Sequence, residues 1–204
     1  MSDMGSQQFP SSVLVFRDVL VNETMGLPVC LFFSGLCLGQ VAPQSPETSS
    51  CERFAQQFYD WYVPLTQKQL RMPASNVALE RRAAMFSPNL LHALKIDSEA
   101  EARAKGELVG LDFDPFLGSQ DPADHYEARH AAMKNGTCSV GVWRASPNDT
   151  AAKMDRPEAV AQLKRQNGGW QFVNFTYSVG GPDLLHLLAN LREERRKYDA
   201  TAPR

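Results

Sequence analysis

Within Leu111-Asp112-Phe113-Asp114-Pro115-Phe116-Leu117-Gly118-Ser119-Gln120-Asp121, three carboxylates stand among large apolar side chains, and His125 and Tyr126 follow a few residues later. A carboxyl taken out of water beside an imidazole or phenol has its pKa pushed towards neutrality and becomes a usable general base. Asp112 and Asp114 are the candidate bases, and His125 or Tyr126 is the candidate partner. The same residues have a structural reading. Asp before Pro commonly organises a turn, and both Asp114-Pro115 and Asp121-Pro122 have that form, so these carboxylates are also expected to accept backbone hydrogen bonds. Phe113, Phe116 and Leu117 should sink into a core, while the acids beside them must stay solvated, paired or hydrogen-bonded.

Other chemistries find less support. The three aspartates offer hard oxygen ligands, but Phe116 and Leu117 occupy places where a calcium loop would need an acid and its glycine. His92, His125, His130 and His186 have no zinc spacing among themselves or with Cys. Ser119 lacks the glycine-flanked elbow of a hydrolase nucleophile. No metal and no cofactor is expected.

The elements that must hold these residues follow from periodicity. From Cys51, the side chains Phe54, Phe58, Trp61, Tyr62 and Leu65 recur at helical spacing and form an aromatic stripe, with Pro64 bending or ending the helix. A second helix is expected over Val77 to Phe86. Ser87-Pro88 reads as the cap and first position of a third, with Leu90, Leu91 and Leu94 inward. Ser98 with Glu101 reads as a capping box opening a separate short helix that ends near Gly106. Beyond the aspartate loop the period becomes two. Strands are expected over His125–Met133 and Thr137–Arg144, joined at Lys134-Asn135-Gly136, and over Ala159–Arg165 and Trp170–Tyr177, joined at Asn167-Gly168-Gly169. Strict alternation in the last strand sends Trp170, Phe172 and Asn174 to one face and Val173, Phe175 and Tyr177 to the other, which suits a central strand or one curved round a cavity. A closing helix from about Pro182 turns Leu184, Leu187, Leu188 and Leu191 inward. The fold class is α+β: helices packed on one face of a bent four-stranded antiparallel meander, then a C-terminal helix.

Charge excludes one large class of partner. From Pro43 onward 20 acidic side chains face 20 basic ones, which gives no basic face for nucleic acid. Leu27 to Gly39 is an uncharged run of 13 residues. It is too short for a stable membrane span, which needs about 20, but it matches a signal-peptide core. Its flank is weakly basic, with only Arg17 upstream and Asp18 and Glu23 between. The expected organisation is an N-terminal extension with a signal peptide over 1–42, a polar linker over 43–50, one domain over 51–198 and a tail over 199–204. Cys30 and Cys37 would leave with the signal. Cys51 and Cys138 would remain, an even pair that an oxidising compartment can join, although Cys138 by itself reads more readily as a small buried hydrophobe.

Phe54-Ala55-Gln56-Gln57-Phe58-Tyr59-Asp60-Trp61-Tyr62, Leu111 to Phe116 with Gln120-Asp121, and Gly169-Trp170 with Asn174-Phe175 and Tyr177 together resemble the bacterial domain-of-unknown-function family 3828, over roughly residues 51–191. The resemblance implies a nuclear-transport-factor-like cone, in which a strongly curved sheet wraps helices and leaves a pocket, and an exported or envelope-anchored protein without an agreed activity. This chain departs from anchored members, because Cys37 follows Leu36 and Cys30 follows Val29 where acylation requires a small residue. Trp61, Tyr62, Trp170 and Tyr177 are the aromatics expected to line such a pocket. The resemblance leaves function open; the leading expectation is an exported, periplasmic or envelope-associated non-enzymatic module that binds a small apolar or mixed ligand or another envelope protein. Cone folds also host isomerases, dehydratases and hydrolases, so the alternative is such an enzyme with Asp112 or Asp114 as base.

Overall fold

Ser45 opens the first helix because its Oγ accepts the Thr48 amide at 3.2 Å, and Pro46 takes the first helical position, where a missing N–H costs nothing. This is helix α1, Pro46–Thr66, in a computed structural model that describes residues 45–104, 110–145, 156–177 and 181–201, with side chains through Tyr198 in the last stretch. The expected signal peptide lies outside the described residues. The expected linker lies outside them only as far as residue 44; from Pro46 it is the first turn of α1. Pro64 sits inside the last turn, and the helix ends two residues beyond it.

Helix α2, Ala74–Arg81, starts three residues before the position expected and stops at Arg82, where a 3-10 turn over Ala83–Met85 intervenes. Helix α3, Pro88–Arg103, is capped by the Ser87 hydroxyl accepting from Leu90 N. No new helix starts at Ser98. The inward stripe of Leu90, Leu94, Asp97 and Glu101 keeps helical spacing through that point, so α3 runs on and the local capping signal is overridden by packing. Helix α4, Leu184–Thr201, begins where the Asp183 carboxylate accepts from His186 N at 2.9 Å. Asp97 of α3 and Arg195 of α4 form a buried ion pair at 2.6 Å.

Four strands, β1 Tyr126–Lys134, β2 Thr137–Arg144, β3 Ala159–Gln166 and β4 Gly169–Thr176, form an antiparallel meander in the order β1-β2-β3-β4. Both tight turns are Asn-Gly pairs with positive φ at each residue, 50° and 72° at Asn135-Gly136 and 53° and 82° at Asn167-Gly168. Those left-handed values match the strand twist and are cheap only for these residue types. The fold is therefore α+β, with the helices N-terminal and one C-terminal.

Two bulges set which side chains face the core. Between Arg129 and Ala132 the register with β2 slips, and His130 takes φ of 60°. Between β3 and β4, Gln162 pairs with Asn174 but Leu163 pairs with Phe172, leaving Val173 as the extra residue. The alternation expected for β4 is corrected by that residue: Trp170, Phe172 and Phe175 are all buried on one face, with the Phe172 and Phe175 rings stacked at 5.4 Å. Nor is β4 central. It is an edge strand whose open side is met by Ser87 N donating to Phe172 O at 2.8 Å and by a bridge between Thr176 and Asp183, while the Gln171 side chain donates outward to Ala84 O. The other edge, β1, is closed by α1, where the Gln56 amide accepts from Ala128 N and donates to Tyr126 O, and Glu52 accepts from Ala131 N.

Phe58 is the hub of the core, packed against Tyr62, Phe86, Phe116 and Phe172 with ring centroids 5.0 to 5.7 Å away. Beside it Cys51 of α1 and Cys138 of β2 are joined in a fully buried disulfide, so Cys138 is a partner rather than a lone hydrophobe. The bond closes a loop of 87 residues in sequence separation, which on chain-entropy grounds is worth about 4.5 kcal/mol. Urea melts of the Cys51→Ala/Cys138→Ala protein should show a loss of that order, and an unchanged midpoint would contradict it.

Candidate functional site

The aspartate loop is built as a tight turn around Asp114. Asp114 N donates to Ser119 O at 2.9 Å and Gly118 N donates to Asp114 O at 2.8 Å. Gly118 has φ of 69°, and a Cβ there would lie 2.8 Å from both Glu158 O and the Tyr177 ring, so glycine is required. Within the turn, Asp114 Oδ1 accepts Phe116 N at 2.9 Å and Leu117 N at 3.1 Å, and Oδ2 accepts the Tyr62 hydroxyl at 2.5 Å. Two more phenols grip the adjoining carbonyls: Tyr59 donates to Phe116 O at 3.1 Å and Tyr177 donates to Pro115 O at 2.7 Å. Burial raises the pKa of all three tyrosines well above its ordinary value, helped by the charge of Asp114, so each stays a protonated donor. Phe116 and Leu117 are thereby driven into the core, and Phe113 is half-buried, edge-on to Tyr177 at 4.8 Å.

The far end of the loop is tied to the sheet. Arg144 donates from Nη2 to Asp121 O at 2.8 Å and to Ser119 Oγ at 3.2 Å, and from Nε to Glu158 at 2.8 Å. The second oxygen of Glu158 accepts the Tyr126 hydroxyl at 2.7 Å.

Asp112, Asp114 and His125 are not brought together as a catalytic group. Asp112 is exposed and accepts from Gln120 at 3.0 Å, while His125 is exposed at the start of β1; among the described residues no hydrogen bond joins it to either aspartate. Asp112 and Asp114 do share an open cleft of about 320 Å³, with Glu101 on its wall and Leu79, Leu94, Leu111 and Phe113 supplying apolar surface. Burial, the largest influence, raises the Asp114 pKa against the lowering effect of its three donors; burial and the charge of Asp97 also raise that of Glu101.

The aromatics named from the sequence serve separate purposes. Trp61 is half-buried beneath the Arg82 guanidinium at 4.9 Å. Tyr62 holds Asp114, and Tyr177 holds Pro115 O. Trp170 is buried, its Nε1 donating to Ser50 Oγ at 3.0 Å and its ring covered by Arg165. None of the four lines the aspartate cleft. Sequence pattern does not mark Glu101 as a member of the cleft, because its place there depends on α3 running through Ser98. Among the described residues no three His, Cys, Asp or Glu side chains gather at metal-binding distance, and no helix is long and apolar enough to cross a membrane.

No protein-family model matches the chain, and no curated protein matches it. Two solved chains superpose on it, both from the type VI effector–immunity complex Tae3–Tai3 of Ralstonia pickettii, in native and selenomethionine forms. The first is 21% identical, covers 69% of this chain and 100% of its own length, and gives a TM-score of 0.43. The second is 24% identical, covers 63% of this chain and 97% of its own, and gives the same score. At that score neither fold nor function is carried over from them, and both rest on this chain's own geometry.

Asp114→Ala strands a phenol and two backbone amides at once, and should cost about 3 kcal/mol in denaturant melts. Asp112→Ala should stay within about 0.5 kcal/mol; equal losses would refute the division of roles. A second test uses pH. Because the folded Asp114 pKa lies above its unfolded value of 3.8, the folded state holds this proton more tightly, and stability falls as pH rises from the unfolded through the folded pKa. Relative to Asp114→Asn, the wild type should lose stability across that window and run parallel above it; parallel curves throughout would show that no raised pKa exists.

Proposed function

We propose that the chain is an exported, envelope-associated binding module, not an enzyme, whose partner is another protein. One observation carries the reading. The carboxylate best placed for chemistry, Asp114, spends both oxygens on three donors that build the loop, and a base so engaged has little lone-pair capacity left for a substrate proton. A protein partner is supported by the sheet face turned away from the core. There Trp143 is half-buried, with the Arg129 guanidinium 5.0 Å from its ring and the His130 ring 5.5 Å away, and tryptophan and arginine are residue types that dominate binding hot spots. Export is supported by the buried disulfide, which forms and persists in oxidising compartments. The resemblance to family 3828, with its cone-shaped fold, belongs to the same proposal.

The alternative enzyme reading has one observation in its favour: Asp114, with its raised pKa, lines an open cleft. The two readings part on a single pair of variants. Trp143→Ala should weaken capture of a protein partner by at least about tenfold while the melting transition stays near that of the wild type. Asp114→Asn should leave capture intact. Turnover of a small molecule that Asp114→Asn abolishes without loss of stability would reverse the ranking. For export, alkylation of acid-quenched, denatured cell extracts should find Cys51 and Cys138 blocked until a reductant is added; free thiols there would place the chain in a reducing compartment.

A further inference from the structure

Shortly after α1 the chain runs through an exposed segment, Lys68-Gln69-Leu70-Arg71-Met72, closed by Pro73 at the start of α2. Leu70 and Met72 are 38% and 40% exposed, and with Tyr198 they are the exposed large hydrophobic side chains among the described residues. Lys68 and Arg71 are exposed between and beside them. Two apolar tips interleaved with two cations make a knob with a definite chemical preference: a concave surface with apolar walls and a carboxylate rim.

The molecule carries a surface of that description next door. The aspartate cleft has apolar walls at Leu79, Leu111 and Phe113, carboxylates at Glu101, Asp112 and Asp114, and, among the described residues, no Lys, Arg or His in its lining. Pro73 and Ala74 line both this cleft and the groove under the knob, so the two surfaces share a rim. Leu70 and Met72 do not line the cleft of their own copy. A two-fold axis beside the shared rim, however, places each knob against the other copy's cleft, as a self-complementary interface requires.

We propose that two copies of this chain associate in this way, the Lys68–Met72 knob of each entering the acid-rimmed cleft of its partner. Leu70 and Met72 then cover apolar wall, and Lys68 and Arg71 meet Glu101 and Asp112. The association uses a face distinct from Trp143 and stands or falls independently of the partner proposed above.

The test is sedimentation equilibrium of the full chain over a range of concentrations at low and high salt. Dimer is expected at low salt, and it should weaken as salt screens the charged contacts. Arg71→Glu and Asp112→Arg, both at exposed positions, should each be monomeric with melting transitions near that of the wild type. Mixed in equal amounts they should dimerise. The carboxylate introduced at position 71 of the first then meets the guanidinium introduced at position 112 of the second, while the unchanged Arg71 of the second meets the unchanged Asp112 of the first. A wild type that stays monomeric at all concentrations, variants as dimeric as the wild type, or a mixture that stays monomeric would each overturn the proposal.

Discussion

A carboxylate removed from water must be met by donors or by a proton, and at Asp114 it is met by donors from two levels of the fold. Two come from the next residues of its own loop; the third is a phenol on a helix 52 residues earlier in sequence. The local pair closes the turn, and the distant one fastens the turn to α1. Once that is done, Phe116 falls beside Phe58 and Phe86, and the loop becomes part of the core. Tyr59 and Tyr177 donate to neighbouring carbonyls of the same short span. The tyrosines of α1 are therefore on the inward face for hydrogen bonding as much as for apolar burial, which explains why a helix with ordinary amphipathic character holds its loop so tightly.

Much of this was legible in the sequence where the physics is local. Asn135-Gly136 and Asn167-Gly168 demand left-handed turns, and the hairpins fall on them. Ser87-Pro88 announces α3, and the Asp-Pro step announces a turn with a carboxylate accepting inside it. What the sequence did not show was decided by contacts far apart in the chain. Nothing in Trp170-Gln171-Phe172-Val173-Asn174-Phe175 marks Val173 as an extra residue. It is extra because Phe172 and Phe175 both gain by facing the same core, a gain visible only once α1 and Phe116 are in place. Ser98 and Glu101 had good capping chemistry and were overruled by Leu94 and Asp97, which needed the helix to continue.

The candidate site was legible in part for the same reason. The sequence identified Asp114 and the apolar side chains around it, but it could not say that its side-chain donor would be a phenol rather than an imidazole, since Tyr62 is brought to the loop by tertiary packing. Of the aromatics expected to line a pocket, Tyr62 and Tyr177 hold the framework by their hydroxyls and Trp170 by its indole N–H, while Trp61 lies under a guanidinium. Polar handles on large rings gave each of them a second task.

The closure of both sheet borders has a consequence for how anything can be recognised here. Gln56 and Glu52 engage Tyr126 O, Ala128 N and Ala131 N of β1, and Ser87 and Asp183 engage Phe172 and Thr176 of β4, so an incoming extended peptide finds these ladder positions already taken. Strand addition, the least selective way for one chain to join another, is thereby removed at these borders. Recognition by this fold must then read side-chain shape and charge, which varies with sequence far more readily than main-chain geometry does.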